Sequence, residues 1–195
     1  MATNRSSRAQ PSSTDSRKST GCGLDVAVLD YEPQAAPIVK SKEALISQVP
    51  VVNIVGVDPG LKGGICRNGH PVPMPIKDDE LDVRRIASYF SDADLVCVEQ
   101  QGYRPGQGGV VTNLCNYGIL LGVARLHAKH VLVVSPQRWK NDVLGEDYAH
   151  DKAGTILWAN ETYPKVNLTL PKCRKPHDGM ADALAIWHYA KGFHE

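Results

Sequence analysis

The chain has 195 residues with 22 Lys/Arg against 21 Asp/Glu, a formal net charge of +1. That length holds one domain of about 145 residues, able to bury roughly 70% of its unfolded surface, plus an N-terminal extension. No apolar run approaches the ~18 residues that cross a bilayer, so a soluble protein is expected, and the charge lacks the basic excess of many nucleic-acid binders.

Residues 1–20 carry six Ser, three Thr, four basic residues (Arg5, Arg8, Arg17, Lys18) and one acid, Asp15. They contain no apolar secretory core. Two readings stay open: a transit peptide for a chloroplast or mitochondrion, or a solvated tail of a protein of the cytoplasm or nucleoid. Residues 21–48 mix Gly, Pro and charge and extend this lead-in. The expected division is therefore 1–48 as extension and 49–195 as one folded domain. The cysteines (Cys22, Cys66, Cys97, Cys115, Cys173) are odd in number and show no metal spacing. They read as reduced thiols of a reducing compartment.

Within the domain, 51–57 (VVNIVGV) is β-branched and apolar, which predicts a buried strand. Pro59 stops it, and Gly60, Gly63 and Gly64 build a turn. Strands near 63–67 and 70–74 follow, joined at Asn68–Gly69. A helix is predicted over 79–91, a strand over 94–98, a glycine-rich loop over 102–109 and a long helix over 110–128. A strand over 130–134 comes next. Pro136 opens a short helix to about 142, and a further helix covers 150–162. An irregular stretch reaches 176, before a final helix over 177–191. A three-strand meander followed by alternating helix and strand predicts an α/β fold with a mixed five-stranded sheet flanked by helices.

Four acids stand out against this frame. Asp178 and Asp182 lie four residues apart at the start of the last helix, so both project from one face. The residues after them, Ala183 to Trp187, are mostly apolar, so the helix is at least half buried. A carboxylate pair there calls for a compensating cation, and a divalent metal suits it. The alternative is an acidic first turn with Asp178 as N-cap. Asp58 ends the first apolar strand and Glu99 ends Leu95–Val98. In open α/β sheets, ligands gather beyond the carboxyl ends of strands.

Three short motifs, GVDPG at 56–60, VEQ at 98–100 and DGMADALAI at 178–186, together resemble the RuvC-like Holliday-junction resolvases, over roughly 50–192. The resemblance implies the RNase H-like fold, with the first and fourth strands adjacent at the sheet centre. It implies that Asp58, Glu99, Asp178 and Asp182 are catalytic and bind two Mg²⁺ or Mn²⁺ ions, with Asp58 bridging them. The fourth acid departs from many bacterial members, where it lies three residues before the last Asp; Gly179 is there instead. Asp178, four before, is similar to phage- and organelle-type relatives, with His177 as the substitute.

Basic residues concentrate near these acids. Between Arg125 and Lys175 the chain has nine Lys/Arg against five Asp/Glu, and Lys172, Arg174 and Lys175 precede His177 directly. A basic patch beside an acidic site suits a phosphodiester substrate. The run Ser135 to Lys140 resembles the family's Pro-x-x-x-Lys segment, which brings in Arg138 and Lys140, and Lys152 heads the next helix. Trp139 reads as core. Tyr103 or Arg104, just after Glu99, is expected to stack on a base at an opened branch point; Tyr103 is similar in position, though not identical in spacing, to an aromatic residue that probes the junction centre in the family.

The resemblance thus implies a metal-dependent endodeoxyribonuclease that resolves four-way DNA junctions by paired phosphodiester hydrolysis. Two opposed cuts require two sites, so a C2 homodimer is expected, with Leu114, Tyr117, Leu121 and Ala124 of the long helix, beside Gly118 and Gly122, as the interface. Alternatives are an RNase H-fold nuclease for flaps, branched DNA or RNA–DNA hybrids, a non-catalytic DNA-binding relative, and an actin-like phosphotransferase, for which the chain is too short.

Overall fold

The structure, a computed structural model, describes residues 53–102 and 109–193. The extension 1–48 and the loop residues Tyr103 and Arg104 lie outside the described residues. A meander opens the domain: β1 (Ile54–Asp58), β2 (Gly64–Arg67) and β3 (His70–Pro73). Asn68 and Gly69 both take positive φ, 49° and 81°, as the predicted Asn–Gly hairpin requires. Residues 79–82 depart from the expected helix. Residues 79–81 belong to a small hairpin, β4 (Ile76–Lys77) with β5 (Glu80–Leu81), turning through Asp78 and Asp79 at φ 53° and 62°. The helix α1 starts only at Val83 and runs Val83–Phe90, capped by Asp82, whose carboxylate accepts from the Arg85 amide at 3.1 Å.

The rest follows the expected order. β6 (Leu95–Glu99), α2 (Val110–His127), β7 (His130–Val134), α3 (Pro136–Leu144), α4 (Lys152–Thr162) and α5 (Asp178–Lys191) complete the chain. The main sheet has the order β3-β2-β1-β6-β7. β1 pairs antiparallel with β2 and parallel with β6, and β6 pairs parallel with β7. This is a five-stranded mixed RNase H-like sheet with β1 and β6 at its centre.

Strand pleating divides the core in two. Val55 and Val57 of β1, with Val96 and Val98 of β6, pack on one face with Ile86, Phe90, Leu120 and Ala124 from α1 and α2. Ile54 of β1 and Leu95 and Cys97 of β6 point to the other, against Trp139, Trp158, Leu184 and Ile186 from α3, α4 and α5. Side chains two residues apart share a face. Asp58 therefore falls on the side of Ile54 and Gly56, and Glu99 on the side of Leu95 and Cys97, both toward α5.

Glycines let α5 come this close. A Cβ on Gly56 would lie 2.3 Å from the Trp187 amide nitrogen and 2.5 Å from the Ala183 carbonyl. The first turn of α5 meets the β1–β2 turn in the same manner: a Cβ on Gly179 would lie 2.4 Å from the Lys62 carbonyl, and one on Gly64 2.5 Å from the Gly179 carbonyl. These glycines bring helix and turn backbones together.

The long helix turns part of the expected interface stripe inward, while Leu114 is half-buried and Gly118 and Gly122 are exposed. Ala124 is buried, and Tyr117 and Leu121 pack on the molecule's own core. The apolar residues facing outward are Val111 (74% exposed), Ile119 (43%) and Leu126 (83%). These outward residues lie on a different side of the helix from Tyr117, Leu121 and Ala124.

Candidate metal centre

Three elements deliver the four acids. The register pairs Val57 with Val98, so Asp58 and Glu99 emerge side by side at the carboxyl ends of the two central strands. α5 crosses this edge and presents Asp178 and Asp182 one turn apart. All four line one cleft of about 590 Å³, together with the 59–63 turn, Gln101, Asn113 and Lys152.

The first turn of α5 shows which residue caps the helix. His177, not Asp178, is the N-cap: its Nδ1 accepts from the Met180 amide at 3.2 Å. Asp178 is the first helical residue and faces the cleft, where the Lys152 ammonium donates to its Oδ2. Gly179, at the position three before Asp182, has no room for a side chain.

Glu99 is held from both ends. The Trp139 indole N–H donates to Oε1 at 3.1 Å and the Gln101 amide donates to Oε2 at 3.2 Å. The local sequence explains the first contact. β7 ends at Val134, in register with Glu99. Ser135 caps α3 and Pro136 opens it, so Trp139 lies one turn in, directly over the sheet edge. Its ring is fully buried, and the Lys140 ammonium sits 5.3 Å from the ring centroid.

The electrostatics of the cluster are strained. Burial, then the Glu99, Asp182 and Asp178 carboxylates, push the Asp58 carboxyl well above the ordinary carboxylate range. Burial also raises Glu99, opposed first by the Trp139 N–H and then by the charge of Lys140. Asp182 is pushed up to about 6, by burial before all else, although the Thr155 hydroxyl beside it opposes the shift. At Asp178 burial again pulls upward, but the Lys152 ammonium outweighs it and holds the carboxyl below its usual value. Burial thus raises three of these acids, and among the described residues Asp178 is the one of the four in an ion pair with a lysine.

A hard divalent cation fits this donor set. Every ligand offered is a carboxylate oxygen, and Asp182 Oδ1 is buried without a hydrogen-bond partner. As the side chains stand, no three His, Cys, Asp or Glu residues among the described residues converge on a single ion position. Lys152 supplies the compensating charge at Asp178 instead.

Of the expected basic contacts, Lys152 reaches the acids by donating to Asp178, while Lys140 donates to the His150 carbonyl at 3.3 Å and acts on Glu99 through its charge. Arg138, Lys172, Arg174 and Lys175 are exposed and outside the cleft lining, the last three on the 171–176 turn that a Thr169–Pro176 bridge closes. Sequence reasoning missed Gln101, Thr155 and Asn113, and gave Trp139 no role beyond packing. One signal was available for Trp139. A buried indole N–H needs an acceptor, and this Trp adjoins the lysine of the Pro-x-x-x-Lys segment.

An RNase H-like sheet with acids at both central strand ends and on the last helix defines the class: a carboxylate-cluster domain of the RNase H-like fold. No protein-family model matches the chain, and no curated protein does. Among solved structures it is similar to Thermus thermophilus RuvC in complex with a Holliday junction substrate, at 19% identity, TM-score 0.47, covering 72% of this chain and 93% of that one. A second Thermus thermophilus RuvC structure gives 20% identity, TM-score 0.44, and coverage of 73% and 94%. The yeast mitochondrial Holliday junction resolvase Ydc2 gives 13%, TM-score 0.40, and coverage of 77% and 85%. At such identities the likeness is one of fold, and the chemistry rests on the residues of the cleft.

Proposed function

We propose that this chain is a divalent-metal-dependent, structure-selective endodeoxyribonuclease that resolves four-way DNA junctions. The observation that carries the reading is the gathering of Asp58, Glu99, Asp178 and Asp182, from two central strands and one helix, along a single cleft with Lys140 and Lys152 at hand. The GVDPG, VEQ and DGMADALAI motifs supply the substrate class.

In this reading the four acids hold two Mg²⁺ or Mn²⁺ ions. When bound, the ions supply Lewis-acid charge at the scissile phosphate and an acidified water. Trp139 and Gln101 orient Glu99, Thr155 supports Asp182, and Lys140 and Lys152 hold phosphate oxygens. Lys152 can take that role because cations at the acids would free it from Asp178. Arg138, Lys172, Arg174 and Lys175 follow the flanking backbone, as phosphate contacts that add affinity and salt dependence. Tyr103 and Arg104 remain the residues proposed to probe the branch point.

Paired cutting of a two-fold-symmetric junction requires a homodimer. The outward stripe Val111, Ile119 and Leu126 of α2 is the surface proposed for it. No helix among the described residues is long and apolar enough to cross a membrane. Cys115 and Cys173 are exposed free thiols, which suits a reducing compartment, whether cytoplasm, nucleoid or organelle.

The test is a substrate panel. The full chain should cut a mobile four-way junction symmetrically with Mg²⁺ and not with EDTA, and should cut flap, linear duplex and RNA–DNA hybrid far more slowly. Preferential cutting of flap or hybrid would select the other RNase H-fold nuclease reading. Junction binding with no cutting in Mg²⁺ or Mn²⁺ would select the non-catalytic one.

A further inference from the structure

Trp139 is a fully buried core residue whose only polar atom points at a catalytic carboxylate. An indole N–H donates and cannot accept or change protonation. A donor of that kind favours the ionised carboxylate and fixes which lone pairs stay open. Opposite it, Gln101 donates to the other oxygen, so Glu99 is clamped at both oxygens. The two donors differ in rigidity. Gln101 is on an irregular segment beyond β6, and its side chain has three rotatable bonds. Trp139 is packed among Leu144, Trp158 and Leu184 on a capped helix, and Lys140 stacks on its face.

We propose that Trp139 is a positioning residue that sets Glu99 as a metal ligand, so that the core packing of α3 tunes divalent-metal affinity. The inference rests on the reading of the acids as a metal site. Partners that orient metal ligands typically contribute 10–100-fold in metal affinity. The contact also places a direct link between the hydrophobic core and the cleft, since any shift of α3 moves the N–H that Glu99 accepts.

The test uses Trp139→Phe, which keeps an aromatic ring in the core and deletes the donor. Mg²⁺ binding to the full chain, measured by calorimetry without DNA, should weaken by roughly 10–100-fold. The Mg²⁺ concentration for half-maximal junction cleavage should rise by a similar factor, and excess metal should restore most of the rate. Junction binding in Ca²⁺ should stay within about twofold, since no basic contact has changed. Metal affinity equal to wild type would overturn the proposal.

A second measurement does not depend on the variant folding. In wild-type protein with ¹⁵N-labelled indoles there are three Trp N–H signals, and one should shift as Mg²⁺ is added. If none moves while calorimetry shows Mg²⁺ bound, Trp139 does not act through Glu99. Should the wild type bind Mg²⁺ yet cut no junction, the proposed activity fails, and the comparison of metal affinities still decides the role of Trp139.

Discussion

His177 and Asp178 divide the first turn of α5: one caps the helix, the other faces the cleft. That division is not legible in the sequence, because Asp is itself a preferred N-cap type and a carboxylate four before Asp182 satisfies the spacing either way. Cleavage rates of two variants separate the roles. His177→Asn, which can still cap, should cut junctions at close to the wild-type rate. Asp178→Asn should lose at least about 100-fold, more than the loss of a supporting partner usually costs. Equal rates for Asp178→Asn and wild type would reduce Asp178 to a helix-dipole residue. Asp182 gives a prediction of another kind. Its folded-state pKa near 6 exceeds the ordinary 3.8, so between those values the folded state binds more protons than the unfolded chain. The stability that this group contributes is present at low pH and is lost as pH rises through about 6. Metal-free Asp182→Asn should therefore melt several degrees higher than wild type at pH 8, with the gap closing toward pH 4. A lower melting temperature for the variant at pH 8 would mean that the carboxylate is already compensated.

Packing of α5 on the sheet decides whether these side chains meet at all. The strand ends, the helix and their order were legible from apolar runs and turn residues, and β7 fell on its predicted span. The hairpin at 76–81 was not legible, because its turn uses Asp78 and Asp79 at positive φ in place of glycine. Nor was the closeness of α5 to β1, which depends on what stands opposite Gly56 and Gly179 in space. An acid three residues before Asp182 cannot be placed here for the same reason. Gly179→Asp would drive a Cβ to 2.4 Å from the Lys62 carbonyl, with backbone on both sides. Overpacking of this sort costs about 1–3 kcal/mol or more. A melting temperature lower by several degrees and loss of cleavage are expected, despite the added carboxylate. A variant that cuts as well as wild type and melts no lower would show that helix and turn can part without harm.

For the whole molecule, the four acids were legible because strand ends and a helical repeat are one-dimensional patterns. Their clamps were not, since Trp139 lies 40 residues from Glu99 in sequence. The proposed dimer shows the same limit: the apolar stripe on α2 was visible, but which side of it turns outward depends on α1 and the sheet beneath. The double variant Ile119→Glu, Leu126→Glu puts charge on the outward face. By sedimentation it should be monomeric where the wild type is dimeric, and it should nick junctions without pairing the cuts. A variant that stays dimeric would place the interface elsewhere. The carboxylate cluster is the proposed reaction centre. Its most direct test is cleavage of a mobile four-way junction in Mg²⁺ by Asp58→Asn, measured beside its binding to the same junction. Cutting should fall by at least about 100-fold while binding stays equal or tightens, because Lys140 and Lys152 remain and one negative charge has gone. Cutting at the wild-type rate would contradict the assignment of the site.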